Sequence, residues 1–180
     1  MNRCKWCNLK NELYVKYHDE EWGILNLDEH YLYEMLILES FQAGLSWECV
    51  LNKRDYFKKA YDKFDVNKVS KYDDKKINEL LNNKHIIRNK LKIKASIDNS
   101  KIFKKIEEEF GSFENYLNRF TKNKIIYELG KTTNELSDSI SFDLKNRGMK
   151  FVGSTIIYSY LQAIGIINSH EQGCYLYKKV

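Results

Sequence analysis

Two cysteines and two histidines at opposite ends of the 180-residue chain have the types and spacing to hold a metal ion. Cys4 and His18 stand near the start, and His170 and Cys174 form a His-x-x-x-Cys step near the other end. Two thiolates and two imidazoles complete the tetrahedral ligand set of a structural zinc site, which leaves no position for a catalytic water. If the four side chains meet, the metal joins the two ends of the chain, and the chemistry of the protein must reside in other residues.

A glutamate inside an apolar segment is the first candidate for that chemistry. Glu39 follows Leu32 and Leu36 on one stripe of a predicted helix and lies within the apolar run 35–41. A carboxylate on a buried face is costly to desolvate unless it is paired, and such groups are common at functional sites. The alternative is a glutamate at a helix end that reaches solvent. The residues alone leave both interpretations open.

Aromatic residues are the candidate neighbours of this carboxylate: Tyr14, Tyr17, Trp22 and Trp47. The two tyrosines share one face with His18 if their segment is helical, and the second tryptophan returns towards Glu39 if the chain reverses at Gly44. Electron-rich rings and a carboxylate together suit a flat ligand that carries positive charge. An aromatic core cluster beside a zinc ligand is the alternative.

A basic segment at the predicted start of a later helix is the third candidate; its cations are Arg88, Lys90, Lys92 and Lys94. Cations and backbone amides at a helix N-terminus suit phosphate groups, although lysines between isoleucines are also typical of a solvated helix face. Lys150, between Gly148 and Gly153, is a second position of this kind.

Composition sets the limits of the protein class. Hydrophobic residues make up 43% and aromatic residues 14% of the chain, which excludes global disorder and suits one domain over residues 1–180. The formal net charge of +5 is compatible with a polyanionic partner without requiring one. No stretch approaches the roughly 20 apolar residues of a membrane span, and the first residues lack a signal-peptide pattern. We therefore expect a cytoplasmic protein with reduced cysteines.

The elements that must position these residues are predicted to be helices, so the fold class is all-α. Capping residues and apolar periodicity predict helices at seven places: 28–42, a segment that Ser46 caps and that extends to Tyr61, a short helix opened by Asp73, 86–110 with a break near Asn99–Ser100, 112–120, 136–147 and 154–167.

Several motifs occur together in one order along the chain: Arg3-Cys4-x-Trp6, Tyr14-x-x-Tyr17-His18-Asp19-x-Glu21-Trp22-Gly23, Leu38-Glu39-x-x-Gln42-Ala43-Gly44-Leu45-Ser46-Trp47, Ile86-Ile87-Arg88-Asn89-Lys90, the run Arg147–Gly153 and the closing His170-x-x-Gly173-Cys174. With these motifs the sequence resembles the 3-methyladenine DNA glycosylase I family over nearly its whole length. The resemblance implies a helical fold related to the helix-hairpin-helix glycosylases, with a structural zinc that joins the termini.

The resemblance also implies roles for individual residues. The metal ligands fall on Cys4, His18, His170 and Cys174. The base pocket falls on Glu39 as the catalytic residue and on Tyr14, Tyr17, Trp22 and Trp47 as base-binding residues. The hairpin that holds the DNA backbone falls around Asn83–Lys94, and the DNA-binding residues that we predict are Arg88, Lys90, Lys92 and Lys150.

The implied activity is base-excision repair of double-stranded alkylated DNA. The N-glycosidic bond of 3-methyladenine is hydrolysed, the free base is released and an abasic site remains. We expect Trp47 to stack on the base while Glu39 and Tyr17 hydrogen-bond its edge, and we expect a monomer. The alternative is a zinc-stabilised DNA-binding module without catalysis; a zinc hydrolase is disfavoured because four protein ligands leave no open metal position.

The chain departs from the family pattern at two positions. Cys7 adds a Cys-x-x-Cys step with Cys4 and ranks below the matched four as a metal ligand. His85 stands near a turn in which related glycosylases commonly have glycine, which puts the hairpin geometry in question. No aspartate is assigned a catalytic role.

Overall fold

The computed structural model describes residues 1–178, and most of them are helical. The helices are α1 Glu12–Glu20, α2 Glu29–Gln42, α3 Trp47–Leu51, α4 Arg54–Ala60, α5 Val66–Val69, α6 Asp74–Asn82, α7 Lys90–Phe110, α8 Phe113–Thr121, α9 Glu135–Asn146 and α10 Ser154–Ala163, with a 3₁₀ turn at Asp62–Phe64. Two short strands, β1 Ile126–Tyr127 and β2 Ile167–Asn168, pair in parallel, with Ile126 opposite Ile167. The mostly helical architecture confirms the predicted class at this level.

Helix starts follow the predicted capping residues. The side chains of Asp28, Ser46, Asp73 and Ser112 each accept a hydrogen bond from the backbone N–H three residues later, at the starts of α2, α3, α6 and α8. A short polar side chain there replaces one of the amide partners that the first helical turn lacks. Local sequence therefore determines where these helices begin.

The prediction for 86–110 was wrong in two respects: the helix begins later than predicted, and it has no break near Asn99–Ser100. Asn89 caps α7 by accepting hydrogen bonds from the amides of Leu91 and Lys92, so the helix begins at Lys90. The helix continues through both residues: Asn99 Nδ2 donates to the Lys150 carbonyl outside the helix, and Ser100 Oγ donates to the Ser96 carbonyl one turn earlier in α7. Bonding of a serine side chain to the carbonyl four residues earlier can bend a helix slightly but does not end it.

Two other predicted helices were also wrong in extent. The segment after Ser46 divides into α3 and α4, separated at Asn52 and Lys53. The last helix ends at Ala163 because Gly165 follows in the left-handed region, at φ +77°, with its Cα so close to the 24–25 backbone that a Cβ would clash. Ile167–Asn168 then form β2 instead of a further helical turn.

Helix α2 occupies the centre of the molecule and positions the candidate carboxylate. Ten consecutive residues, 32–41, are buried, which matches the prediction of a helix that is apolar nearly all round. It packs against α3, α7, α8 and α10. Among the described helices none is both long and apolar enough to cross a membrane.

Candidate active site and metal centre

A cavity of about 480 Å³ lies between α1, the C-terminal half of α2, the start of α3 and α10. The aromatic part of its wall consists of Trp6, Tyr14, Tyr17, Trp22 and Trp47. Its polar lining includes Lys131, Ser159, Gln162, Ser169 and Glu171. The structure therefore brings all four predicted aromatic residues to one cavity together with Glu39.

Glu39 projects from α2 into this cavity and is 2% exposed. Its Oε2 atom is buried and has no hydrogen-bond partner among residues 1–178. Burial raises the pKa of Glu39 well above its ordinary value because the charged form has lost its hydration. Of the two interpretations of Glu39, the buried functional candidate agrees with the geometry, and the solvent-reaching glutamate is excluded.

Three more buried polar atoms of the cavity lining lack partners within the described part of the chain: Trp6 Nε1, Gln42 Oε1 and Trp47 Nε1. With Glu39 Oε2 they make two donors and two acceptors around one space. A buried polar group without a partner costs about 1–3 kcal/mol, so such a set is expected where a ligand completes the hydrogen bonds. The arrangement is suited to a ligand with both donor and acceptor edges.

Trp6 and Gln42 were not predicted as site residues. Gln42 stands three positions after Glu39, and this spacing places both side chains on one helical face; that signal was available in the sequence. Trp6 lies outside the helices, and only the folded chain places it against Tyr14 and Trp22, with ring centroids 5.2 and 4.6 Å away.

The rings contact one another in two groups, Trp6 with Tyr14 and Trp22, and Tyr17 with Trp47. Tyr17 and Trp47 lie 5.2 Å apart between centroids at an interplanar angle of 45°. Burial raises the pKa of Tyr14 to about 12 and that of Tyr17 well above its ordinary value. Both phenols therefore keep their protons at neutral pH and can donate hydrogen bonds into the cavity.

The four predicted metal ligands meet behind this wall. All four side chains are buried, and their ligand atoms lie within 4.8 Å of one another. The sulfur–nitrogen separations include 3.5 Å from Cys4 to His170 and 3.5 Å from Cys174 to His18. Tetrahedral zinc, with bonds of about 2.0–2.1 Å to nitrogen and about 2.3 Å to sulfur, places such atoms about 3.6 Å apart. The set fits a four-coordinate metal ion.

The histidines present their second nitrogens to fixed partners, as metal-ligating histidines do. His18 Nδ1 lies 2.8 Å from the Asp19 carboxylate, and His170 Nε2 donates to the Trp22 carbonyl at 3.0 Å. Burial lowers the pKa of His170 to about 4, so its imidazole is neutral at neutral pH, the form that binds metals. Cys7 lies apart from the cluster, with its sulfur 3.8 Å from the Tyr14 carbonyl.

The prediction that Lys92 binds DNA is contradicted by its position. Its side chain is buried, and Nζ donates to the carbonyls of Phe41 at 2.8 Å and Ala43 at 2.6 Å. The last carbonyls of a helix have no partners within it, and this ammonium satisfies them at the end of α2. Arg88, Lys90 and Lys150 are exposed.

Helices α6 and α7 are joined by residues 83–89, where the hairpin was predicted. His85 is exposed and stacks on Tyr56, with ring centroids 4.7 Å apart and an interplanar angle of 17°. No residue of this connection adopts a positive φ. The turn therefore has no need of glycine at His85, which resolves the departure noted in the sequence.

Comparisons with known proteins agree with this geometry. A family model for methyladenine glycosylase matches residues 6–177. The chain is 39% identical over 184 residues to DNA-3-methyladenine glycosylase 1 of Escherichia coli (strain K12), covering 98% of this chain and 97% of that protein. It is 33% identical over 178 residues to DNA-3-methyladenine glycosylase of Haemophilus influenzae, covering 96% of each.

Solved structures show the same fold. That of 3-methyladenine DNA glycosylase I from Staphylococcus aureus, which concerns 3-methyladenine recognition, superimposes with a TM-score of 0.94 at 30% identity, covering 100% of this chain and 98% of that one. A variant of 3-methyladenine DNA glycosylase I in complex with 3-methyladenine superimposes with a TM-score of 0.92 at 30% identity, covering 98% of both chains.

Proposed function

This chain belongs to the methyladenine glycosylase family, and from that membership we infer that it is a DNA glycosylase that releases 3-methyladenine during base-excision repair. The observation in the structure that supports this function best is the buried, unpartnered carboxyl group of Glu39 in an aromatic cavity. Such a cavity suits a flat, positively charged ligand. Adenine methylated at N3 and still attached to DNA is a ligand of this kind.

The substrate base must leave the duplex before it reaches this cavity. Extrusion of a nucleotide costs a few kcal/mol, and less for a damaged base. Inside, Trp47 stacks on the base, Glu39 and Tyr17 hydrogen-bond its edge, and Tyr14 and Trp22 complete the wall. Trp6 and Gln42 add the unpaired donor and acceptor described above.

Selectivity follows from the environment of Glu39. Burial favours the neutral carboxylic acid form of Glu39. A cationic base supplies a counter-charge and allows the carboxylate to form, whereas beside neutral adenine the carboxyl group stays protonated and gains no ion pair. The pair of charges therefore favours the methylated base over the far more abundant unmodified one.

Bond cleavage needs little acid catalysis from the protein. The bond between the sugar carbon and the base nitrogen breaks, and its electron pair neutralises the positive charge of the base, which departs as neutral 3-methyladenine. Positive charge then develops on the sugar, where the Glu39 carboxylate stabilises it electrostatically. Water adds to the sugar carbon and loses a proton to solvent, which leaves an abasic site.

The connection between α6 and α7 is our proposed helix-hairpin-helix contact with the DNA backbone. Arg88 and Lys90 are exposed there, and Lys150 lies in the segment that Asn99 of α7 holds through hydrogen bonds to the Lys150 backbone at 2.8 and 2.9 Å. Cations of this kind bind phosphates without reading the sequence. This surface suits duplex DNA on either side of an extruded base.

The metal centre is proposed to hold structural zinc on Cys4, His18, His170 and Cys174. Four protein ligands leave no position for substrate, so the ion supplies a covalent-like link between the two ends of the chain. A monomeric state and a cytoplasmic location stay predictions.

The decisive experiment measures release of free 3-methyladenine from methylated duplex DNA by the intact protein and by the Glu39→Gln variant. Glu20→Gln, an exposed carboxyl at the end of α1, is the matched control. We expect release by the intact protein and the control and strong loss in Glu39→Gln. Release by all three would retain the glycosylase and reject the role of Glu39. Salt-sensitive DNA binding without release by any of them would support the DNA-binding module instead.

A further inference from the structure

The metal centre and the base cavity share one wall. The residues that flank the ligand His170, namely Ser169 and Glu171, both line the cavity. Trp6 lines it two positions after Cys4. Near each end of the chain, a predicted metal ligand and a cavity-lining residue therefore stand within two sequence positions of each other.

His170 makes the most direct connection between the two. Its Nδ1 lies 3.5 and 3.6 Å from the sulfurs of Cys4 and Cys174, so this nitrogen faces the metal position. Its Nε2 donates to the Trp22 carbonyl at 3.0 Å, and its ring meets the Trp22 indole edge-on, with centroids 4.8 Å apart at 87°. One imidazole therefore contacts both the metal cluster and an aromatic residue of the cavity.

The local backbone is shaped for this contact. Gly23, directly after Trp22, has φ +76°, and a Cβ there would stand 3.0 Å from His170 Nε2. The absence of a side chain lets the imidazole reach the carbonyl before it. Trp22 in turn packs edge-on against Trp6, with centroids 4.6 Å apart at 70°. A displacement of His170 would therefore disturb the packing of two of the five aromatic residues in the wall, Trp22 and Trp6.

We propose that His170, beyond its place among the metal ligands, is a positioning residue for the base cavity, because its Nε2–H bond to Trp22 holds the Trp22–Trp6 wall in its base-binding arrangement. The proposal rests on the function inferred above. If His170 were only a metal ligand, loss of this bond would not affect base binding. In a positioning role, a protein that keeps its metal and its fold but loses this bond must bind 3-methyladenine more weakly.

The variant that separates the two roles is His170→Cys. A thiolate is a zinc ligand, so the exchange preserves a four-ligand set while removing the Nε2–H donor. His18→Cys is the matched control: it makes the same exchange and also removes ring contacts with the wall, at 5.3 Å from Trp6 and 6.4 Å from Trp22, but the second nitrogen of His18 bonds Asp19 rather than the wall.

Three quantities are measured on each protein: bound zinc per chain, near-ultraviolet circular dichroism of the tryptophans, and affinity for free 3-methyladenine by calorimetry. We expect His170→Cys to keep its zinc, to change the tryptophan signal and to bind the base about tenfold more weakly, the scale of outer-shell changes at metal sites. His18→Cys should show a smaller loss. Equal affinity of the two zinc-loaded variants would overturn the proposal.

A second measurement on the unaltered protein covers the case in which His170→Cys loses zinc or fails to fold. Titration with 3-methyladenine should shift the ring Nε2–H resonance of His170 in ¹⁵N NMR more than the ring signals of His18. An unchanged His170 resonance on saturation with base would contradict the proposal. If the unaltered protein binds no 3-methyladenine, the inferred function fails. An unchanged tryptophan signal in zinc-loaded His170→Cys is a separate result, and it would reject the positioning role.

Discussion

Two glutamates on α2 are both buried, but one has cationic partners among the residues that the structure describes and the other does not. Glu34 is 3% exposed and pairs with Arg54 at 2.7 Å and Lys58 at 3.2 Å. Glu39, at 2% exposure, has an oxygen without a partner in the described structure. The first carboxylate is compensated within the protein, and the second, under the function proposed here, is compensated by the ligand. Burial alone therefore does not mark a candidate functional charge, whereas burial without a partner does.

Glu39→Gln should give the largest effect, because it removes the charge that pairs with the cationic base. We expect excision of 3-methyladenine to fall by about 10²–10³-fold, the loss typical of one transition-state electrostatic contact. The measurement is single-turnover release from methylated duplex DNA. Global stability should be unchanged or higher, because the variant removes a buried ionisable group whose Oε2 atom has no partner in the part of the chain that the structure describes; a large decrease in the free energy of unfolding would show that Glu39 resembles Glu34 after all.

Glu34→Gln should produce the converse result. Removing one partner of a buried ion pair leaves an uncompensated cation, although Arg54 keeps its bonds to Glu21 at 2.7 and 2.9 Å. We expect a loss of about 2–3 kcal/mol in the free energy of unfolding, measured by urea denaturation, with the single-turnover rate retained at a temperature where the variant is folded. A rate loss comparable to that of Glu39→Gln would remove the distinction between the two sites.

Two lysines on α7 extend the same comparison to cations. Lys90→Ala should lower the dependence of DNA binding on salt, by about 0.9 in the slope of log affinity against log salt for one phosphate contact. Lys92→Met should leave that slope unchanged and lower stability by about 1–3 kcal/mol, because two carbonyls lose their donor. Fluorescence anisotropy at several salt concentrations tests the first expectation and thermal unfolding the second. An equal change of slope in both variants would restore Lys92 to the DNA surface.

Glu107 on α7 is only partly buried, unlike Glu34 and Glu39, and its substitution should have the smallest effect on stability. Partial burial and then the neighbouring Glu29 carboxylate raise the pKa of Glu107 to about 7. A folded-state pKa above the unfolded one means that the stabilising contribution is complete below the ordinary pKa of glutamate and is lost as pH rises through about 7. Solvent screening limits the contribution to about 1 kcal/mol. Glu107→Gln should flatten the stability profile between pH 4.5 and 7 relative to the unaltered protein; an identical profile would contradict the assignment.

Four helix starts and the cluster of two cysteines and two histidines could be predicted because they depend on local chemistry or on rare residue types. Asp28 and Ser112 cap their helices through bonds that span three residues. The cluster required only the recognition of two cysteines and two histidines as a possible ligand set, even though they lie far apart in sequence. Helix ends were harder: α10 stops where Gly165 approaches the 24–25 backbone, a contact between segments that no local pattern reveals.

The sequence by itself determined the helical class, the family motifs, the four residues of the Cys/His cluster and the buried carboxylate of the candidate site. Tertiary structure alone decided which polar residues face which partner. Lys90 and Lys92 have the same side chain, yet positions two apart on a helix point to different sides, and only the packing of α7 against α2 places one in solvent and the other at the Phe41 and Ala43 carbonyls. Pairing of buried charges is a property of neighbouring segments in space, so it becomes visible only in the folded chain.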